Sequence, residues 1–131
     1  MFDQQQLSKR ILVVDDDDDI VECIATFLES AGHQVARAYD GEDALQKASE
    51  HHPDLVLLDI NMPLQDGWLV CSKLKLAKSA PKIVFMTGET RSDLEHFANF
   101  VHADSVLRKP FSIKAIERVV NEFAQTARVS A

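Results

Sequence analysis

The sequence contains few of the residues that mark disulfide-rich, fibrous or disordered proteins. Its 131 residues include only two cysteines, four glycines and four prolines. The cysteines, Cys23 and Cys71, form no CxxC or zinc-binding spacing, so we expect two thiols in a reducing cytoplasm, with a single disulfide as the alternative. Hydrophobic residues make up 46% and charged residues 27%, which are ordinary values for one globular domain.

Long apolar runs are also missing. Uninterrupted apolar stretches reach only about four residues, as in Ile11–Val14 and Leu55–Leu58, whereas a membrane-spanning helix needs about twenty. Met1–Arg10 is polar and has no apolar core of the kind found in secretory signals. We therefore expect a cytoplasmic chain with no membrane insertion.

Basic residues are in the minority. Acidic residues outnumber them 21 to 14, which gives a net charge of −7. Direct nucleic-acid binding is not expected, because it requires a basic face that neutralises phosphates. Five consecutive aspartates, Asp15–Asp19, carry much of the excess charge. Such a run is most often a solvated loop, but an apolar stretch ends immediately before this one.

Short apolar runs alternate with helical patterns along the chain. The runs are apolar throughout, as is typical of strands buried on both faces of a sheet, and each is followed by apolar residues at helical spacing. All glycines and prolines are predicted to fall between these elements. The predicted strands are Ile11–Val14, Val35–Ala38, Leu55–Leu58, Ile83–Met86 and Val106–Leu107.

Alternation of five strands with five helices predicts an α/β fold. The simplest arrangement is a doubly wound, five-stranded parallel sheet with helices on both faces. Ligands of such sheets bind at the carboxyl ends of the strands, so the residues that follow each strand are the candidates for function.

Polar side chains follow four of the predicted strands. Asp15–Asp16 follows the first, Asp59 the third, Thr87–Gly88 the fourth and Lys109 the fifth. In a parallel sheet these groups converge on one edge. Three carboxylates that repel one another favour a hard divalent cation such as Mg²⁺, which is commonly held by carboxylates, water and a phosphate.

The same set of groups suits phosphoryl transfer, in which catalysis is mostly positioning and charge stabilisation. Asp59 is the natural acceptor, since a carboxylate can act as a nucleophile. Taken singly, Asp59 could be a helix cap, Thr87 a turn residue and Lys109 a solvated charge. Their shared position after strands favours a common site. We expect Asp17–Asp19 only to support the first turn of the first helix.

Four stretches carry a resemblance to a known family: ILVVDDD at Ile11–Asp17, LVLLDINMPLQDG at Leu55–Gly67, MTGE at Met86–Glu89 and KPF at Lys109–Phe111. Together they resemble the receiver domain of two-component response regulators, and in particular stand-alone receivers of the chemotaxis type. The resemblance implies a flavodoxin-like fold with strand order 2-1-3-4-5. It also implies an N-terminal extension over 1–8, a receiver domain over 9–124 and a tail over 125–131.

The resemblance assigns the metal ligands. Asp16 would bind Mg²⁺ directly, Asp15 would act mainly through water, and Asn61 would supply its backbone carbonyl. Asp59 completes the set of metal-binding residues. Mn²⁺ would substitute for Mg²⁺.

The resemblance also assigns the chemistry. Asp59 would accept a phosphoryl group from a histidine kinase or a histidine phosphotransfer protein, Thr87 would hydrogen-bond that group, and Lys109 would pair with it and with Asp59. Lys109–Pro110 would be a cis peptide. The chain would catalyse only its own phosphorylation and dephosphorylation.

The resemblance further implies which residues tune the phosphoryl lifetime and which transmit the signal. Asn61 and Glu89 would set the lifetime of the phosphoryl group. Val106 stands where the family has a switch aromatic, so we expect the signal to pass instead through Gly88–Thr90 to a fourth helix over Arg91–Val101. A downstream protein would bind the face made by the fourth helix, the fifth strand and the fifth helix.

Three alternatives were weighed. A haloacid dehalogenase-type phosphatase also uses an aspartate and Mg²⁺, but it expects Asp-x-Asp after a strand early in the chain. Here Asp59 follows the third strand, and the residue two positions later is Asn61. A calcium loop over the aspartates is rejected because Ile20 replaces the required glycine. The third alternative is a docking scaffold that does not switch. The chain could be a stand-alone receiver or a piece of a longer protein.

Overall fold

A computed structural model describes residues 8–60, 67–88, 103–109 and 112–130, with side chains of the last segment described to residue 123. Its core is a single parallel sheet with strand order β2-β1-β3-β4-β5. The strands are β1 (Arg10–Val14), β2 (Gln34–Ala38), β3 (Leu55–Asp59), β4 (Lys82–Thr87) and β5 (Ser105–Arg108). Every predicted strand lies within an observed one, and the predicted α/β fold and strand order are confirmed.

Helices cover both faces of the sheet. Side chains alternate along the central strands, so Ile11 and Val13 pack on one face while Leu12 and Val14 pack on the other. The helices are α1 (Asp18–Ser30), α2 (Gly41–His51), α3 (Gly67–Leu74) and a C-terminal helix (Ile113–Ser130). The first and last of these pack on the face with Ile11, and α2 and α3 pack on the opposite face. The predicted fourth helix, Arg91–Val101, lies outside the described residues.

The ends of α1 follow from its flanking residues. The Asp17 carboxylate accepts hydrogen bonds from the backbone N–H groups of Asp19 and Ile20, and this caps the helix as predicted. At the other end Gly32 has φ of +100°, a conformation that side chains disfavour. The N–H of His33 donates to the carbonyl of Leu28 at 3.1 Å, as in a Schellman motif.

Two glycines were placed wrongly by the sequence analysis. Gly41 and Gly67 are not between elements but are the buried first residues of α2 and α3. Asp40 precedes α2 and accepts a 2.8 Å hydrogen bond from the N–H of Asp43. The Asp-Gly pair that suggested a turn is therefore a helix cap followed by the first helical residue.

At the amino edge of the sheet, Asp104 makes several contacts with the start of β4. One oxygen of Asp104, Oδ2, accepts hydrogen bonds from Ile83 N and Lys75 Nζ, each at 2.7 Å. Its backbone N–H donates to the carbonyl of Ile83, also at 2.7 Å. Lys82 Nζ lies 3.9 Å from Oδ1. These residues, called the amino-edge cluster below, join the start of β4 to the segment that enters β5.

Cys71 is buried, Cys23 is exposed, and the two are thiols, as predicted. Within the described ranges, no helix combines the length and apolar character needed to cross a bilayer.

Candidate functional site

Three aspartates converge at the carboxyl edge of the sheet. The parallel register that pairs Val14 with Leu58 brings Asp15, the residue after β1, beside Asp59 at the end of β3. One carboxylate oxygen from each of Asp15, Asp16 and Asp59 lies within 4.8 Å of the others. Asp15 is 1% exposed and Asp59 is 3% exposed, whereas Asp16 lies on the surface. The structure thus brings together the three carboxylates that the sequence analysis grouped.

Lys109 reaches this cluster from the end of β5. Its Nζ lies 2.8 Å from Asp15 Oδ2 and 3.8 Å from Asp59 Oδ1. Its backbone N–H donates to the Thr87 carbonyl at 2.6 Å, which ties the lysine to the end of β4. The lysine is therefore nearer to Asp15 than to Asp59, the partner that the resemblance implied.

The electrostatics of Lys109 favour a permanent positive charge. Partial burial alone would lower the pKa of its ammonium group. The hydrogen bond to Asp15, together with the charges of Asp59, Asp15 and Asp16, outweighs burial and raises the pKa above the usual lysine value. The ammonium group is therefore charged throughout the physiological range.

Asp15 is held in place from several directions. Its Oδ1 accepts a hydrogen bond from the backbone N–H of Asp17 at 3.0 Å, while Oδ2 accepts from Lys109. Its own N–H donates to the Ala38 carbonyl in β2 at 3.3 Å. Both oxygens of this buried carboxylate therefore already have protein partners.

The charge balance of the site fits a divalent cation. Three carboxylates and one ammonium group together carry two formal negative charges. All the acidic donors are hard oxygen atoms, which Mg²⁺ prefers. Asp15, Asp16 and Asp59 are the described residues that would hold such an ion.

Thr87 and Gly88 lie at the same edge. Thr87 ends β4 and is 1% exposed, and it is aligned with Arg108 in β5, the residue before Lys109. A Cβ atom added to Gly88 would meet no atom of the described residues within 4 Å. Val106 is half-buried and packs on the face covered by α2 and α3. Asn61, Glu89 and Pro110 lie outside the described residues.

Gly67 contributes to the site in a way that the sequence pattern did not predict. A Cβ atom there would approach the Ile60 Cα to 2.4 Å and the Asp59 carbonyl oxygen to 2.6 Å, closer than real atoms come. Its N–H donates to the Ile60 carbonyl at 3.1 Å. The start of α3 therefore rests directly on the Asp59 main chain. The available signal was a glycine immediately before a helical pattern, which we had interpreted as part of a loop.

Comparison with known proteins identifies the class. Residues 11–121 match the response regulator receiver domain family, and the chain belongs to that family. The chain is thus a receiver domain of the two-component systems, the phosphorylation-switched signalling modules that its motifs predicted. The phosphatase and scaffold alternatives gain no support.

Particular relatives agree with this assignment. The chain is 34% identical over 125 residues to the alkaline phosphatase synthesis transcriptional regulatory protein PhoP of Bacillus subtilis, covering 95% of this chain and 52% of that protein. It is 36% identical over 122 residues to the transcriptional regulatory protein PdtaR of Mycobacterium tuberculosis, covering 89% and 59%. The chain spans about half the length of the curated relatives it matches.

Solved structures show the same fold. The chemotaxis protein CheY4 of Vibrio cholerae superposes with a TM-score of 0.84 at 27% identity, covering 88% of this chain and 98% of that one. A CheY-like receiver domain protein from Methanospirillum hungatei superposes with a TM-score of 0.88 at 26% identity, covering 95% and 99%.

Proposed function

We propose that Asp59 accepts a phosphoryl group from the phosphohistidine of a histidine kinase or a histidine phosphotransfer protein, with Mg²⁺ as the cofactor and Mn²⁺ as a substitute. The chain then changes the face it offers to a downstream protein and removes the phosphoryl group itself, catalysing no other reaction. The observation that carries the proposal is the position of Lys109, whose ammonium group lies between the buried carboxylates of Asp15 and Asp59.

The transfer is a displacement at phosphorus. A carboxylate oxygen of Asp59 forms the new O–P bond while the P–N bond to the donor imidazole breaks. The bonding electron pair passes to that imidazole nitrogen. The donor histidine leaves as neutral imidazole if its other ring nitrogen carries a proton, and otherwise it takes up a proton from water. The product is an acyl phosphate on Asp59.

The residues of the chain position and neutralise the transferred group. Lys109 Nζ lies 3.8 Å from Asp59 Oδ1 and keeps its charge, so it is placed to offset charge on a phosphoryl group bound there. Thr87, at the end of β4, is the proposed hydroxyl donor to that group. Asp16, Asp59 and the Asn61 carbonyl, with Asp15 acting mainly through water, would hold Mg²⁺, which would supply Lewis-acid stabilisation of the transferred group.

Intact-mass spectrometry after incubation with acetyl phosphate and Mg²⁺ tests the acceptor. The unmodified chain should gain one phosphoryl group, and Asp59→Asn should gain none. Asp18→Asn is the matched control, because Asp18 is an exposed aspartate in the first turn of α1 and takes no part in the site. Equal labelling of the chain and of Asp59→Asn would refute the assignment.

We further propose that Asn61 and Glu89 set the lifetime of the acyl phosphate, and that Gly88–Thr90 carries the signal to a helix over Arg91–Val101. Glycine at position 88, where no described residue comes within 4 Å of an added Cβ atom, supports a change of backbone conformation there. Comparing free and beryllofluoride-bound protein by NMR tests the route. A stationary segment over 91–101, together with burial of Val106, would contradict it.

The downstream partner is proposed to bind the face formed by the fourth helix, β5 and the C-terminal helix. All four residues of β5 are only half-buried, which supports its availability for contact.

The family match over residues 11–121 supports the proposed domain limits of 9–124, with the extension at 1–8 and the tail at 125–131. A cytoplasmic location is part of the proposal, since histidine kinases phosphorylate their receivers there.

The partner-binding face can be tested separately. Alanine substitutions in β5 should weaken binding of the partner without changing phosphorylation of Asp59.

A further inference from the structure

We propose that Trp68 is a positioning residue for the phosphoacceptor: its indole ring, held on Phe85, presses the start of α3 against the Asp59 main chain and so sets the geometry of the carboxylate. The inference rests on the proposed function of Asp59. It assigns a role in that chemistry to a residue outside the acidic cluster.

The first step is the contact beneath Asp59. Gly67 has no room for a side chain because the Asp59 carbonyl and the Ile60 Cα occupy that space. The Gly67 N–H donates to the Ile60 carbonyl, and the Ile60 N–H donates to the Met86 carbonyl in β4 at 3.3 Å. The end of β3 and the start of α3 therefore move as one unit, and a shift of Gly67 is passed to Asp59.

The second step is the ring that holds this unit. Trp68 follows Gly67, and its ring meets Phe85 edge to face, with centroids 4.8 Å apart and an interplanar angle of 70°. Phe85 is 1% exposed and is aligned with Leu58, the residue before Asp59. Trp68 thus connects the start of α3 with the strand beside the phosphoacceptor.

The third step concerns the residues that make up the first turn of α3. Helix α3 has eight residues, and its first turn carries no acidic side chain to favour the helix N-terminus. Leu69, the residue after Trp68, is 47% exposed. Within this first turn, Trp68 and the fully buried Val70 supply the side chains that pack against the sheet, and Trp68 is the larger of the two and the one in ring contact with β4.

Such positioning matters because phosphoryl transfer depends mainly on alignment. A displacement of about 1 Å in a reacting group can cost on the order of 100-fold in rate. We expect Trp68→Leu to load phosphoryl from acetyl phosphate about tenfold more slowly at saturating Mg²⁺. Trp68→Phe retains an aromatic edge for Phe85 and should recover most of the rate.

The experiment measures loading rates by intact mass over a range of Mg²⁺ concentrations, with circular dichroism to confirm folding. Leu69→Ala is the matched control in the same helical turn and should load at the unmodified rate. Phe85→Leu alters the same ring contact from the sheet side, so it should slow loading even if Trp68→Leu fails to fold. Equal maximal rates in folded Trp68→Leu or Phe85→Leu and in the unmodified chain would overturn the inference.

A second readout uses the fact that Trp68 is the only tryptophan in the sequence. Its fluorescence should change when beryllofluoride binds at Asp59, and ¹⁹F NMR reports that binding independently. In Phe85→Leu the fluorescence change should be smaller while the ¹⁹F signal persists. If ¹⁹F NMR shows no binding to the unmodified chain, the proposed function fails. If binding occurs and the fluorescence change is the same in the variant, only the role of Trp68 fails.

Discussion

The two edges of the sheet each contain a lysine–aspartate pair, yet the pairs differ in what surrounds them. At the carboxyl edge Lys109 lies 2.8 Å from Asp15, and at the amino edge Lys75 lies 2.7 Å from Asp104. Among the described residues, one ammonium group lies close to three carboxylates at the carboxyl edge. At the amino edge two ammonium groups, those of Lys75 and Lys82, face the single carboxylate of Asp104.

This difference separates a structural contact from a reactive one. The Asp104 carboxylate accepts hydrogen bonds from Lys75 and from the Ile83 N–H. Its negative charge is therefore neutralised, and the contact joins β4 to the segment before β5. The carboxyl edge remains negative although Asp15 and Asp59 are almost fully buried. Buried negative charge is costly unless it is compensated, so this edge favours a cation. Charge balance, and not the distance of the pair, distinguishes the two edges.

The largest expected effect comes from removing each lysine in turn. Lys109→Met should slow phosphoryl loading of Asp59 on the order of 100-fold, because it removes the preorganised charge beside the acceptor. Lys75→Met should leave the loading rate within about twofold, because the amino-edge cluster does not contact the site. Loading rates followed by intact mass check both, and similar losses in the two variants would remove the distinction between the edges.

For stability, the amino edge should matter more than the carboxyl edge when an aspartate is replaced at each. Asp104→Ala removes an ion pair and the hydrogen bond from Ile83, and we expect it to lower the free energy of unfolding by about 2 kcal/mol. Asp16→Ala removes an exposed carboxylate from a repulsive cluster and should be neutral or slightly stabilising without metal. Urea denaturation of the two variants decides this. Destabilisation by Asp16→Ala that matches the loss in Asp104→Ala would contradict it.

Mg²⁺ should stabilise the chain through the carboxyl edge alone. At a concentration ten times the dissociation constant, a single site adds about 1.4 kcal/mol to the free energy of unfolding. Asp16→Asn should reduce this increment, whereas Asp104→Asn should retain it on a lower baseline. Thermal melting with and without Mg²⁺ measures the difference. An increment unaffected by Asp16→Asn would place the cation elsewhere.

The smallest expected effect is a pH dependence at the amino edge. His33 Nδ1 accepts a 3.0 Å hydrogen bond from the Lys9 N–H, and burial followed by the charge of Lys9 lowers the pKa of its imidazole. The unfolded chain therefore binds the proton more tightly, so stability is complete above about pH 6.5 and decreases as the pH falls below that value. His33→Gln should weaken the decrease between pH 7.5 and 5. If the urea midpoint decreased by the same amount over this pH range in the variant and in the unmodified chain, the role of His33 would be contradicted.

Strands were predicted well and helix starts less well, for a physical reason. Strands such as Leu55–Asp59 are buried on both faces, so nearly every residue is apolar and the run is visible in the sequence. Gly41 and Gly67 resembled turn residues because glycine is common in turns. What places Gly67 inside a helix is the backbone of Asp59 and Ile60, which the sequence does not show to be adjacent.

The candidate site was likewise predicted in part from the sequence. The rule that parallel strands end at one edge was sufficient to group Asp15, Asp16, Asp59, Thr87 and Lys109. It could not show that Lys109 lies nearer to Asp15 than to Asp59, because that depends on strand register and on how far β5 extends. Asp104 gave no signal, since an aspartate before a strand is indistinguishable from a solvated loop residue.

The sequence by itself determined the number of strands, their order along the chain and the edge of the sheet that carries the chemistry. These follow from local patterns, namely apolar periodicity and the polar residues that end each strand. The tertiary structure alone decided which carboxylate the lysine contacts, how deeply Asp15 and Asp59 are buried, and that Gly67 and Trp68 lie against the acceptor strand and its neighbour. Those features depend on contacts between residues far apart in the chain, and such contacts exist only once the strands have paired and the helices have packed.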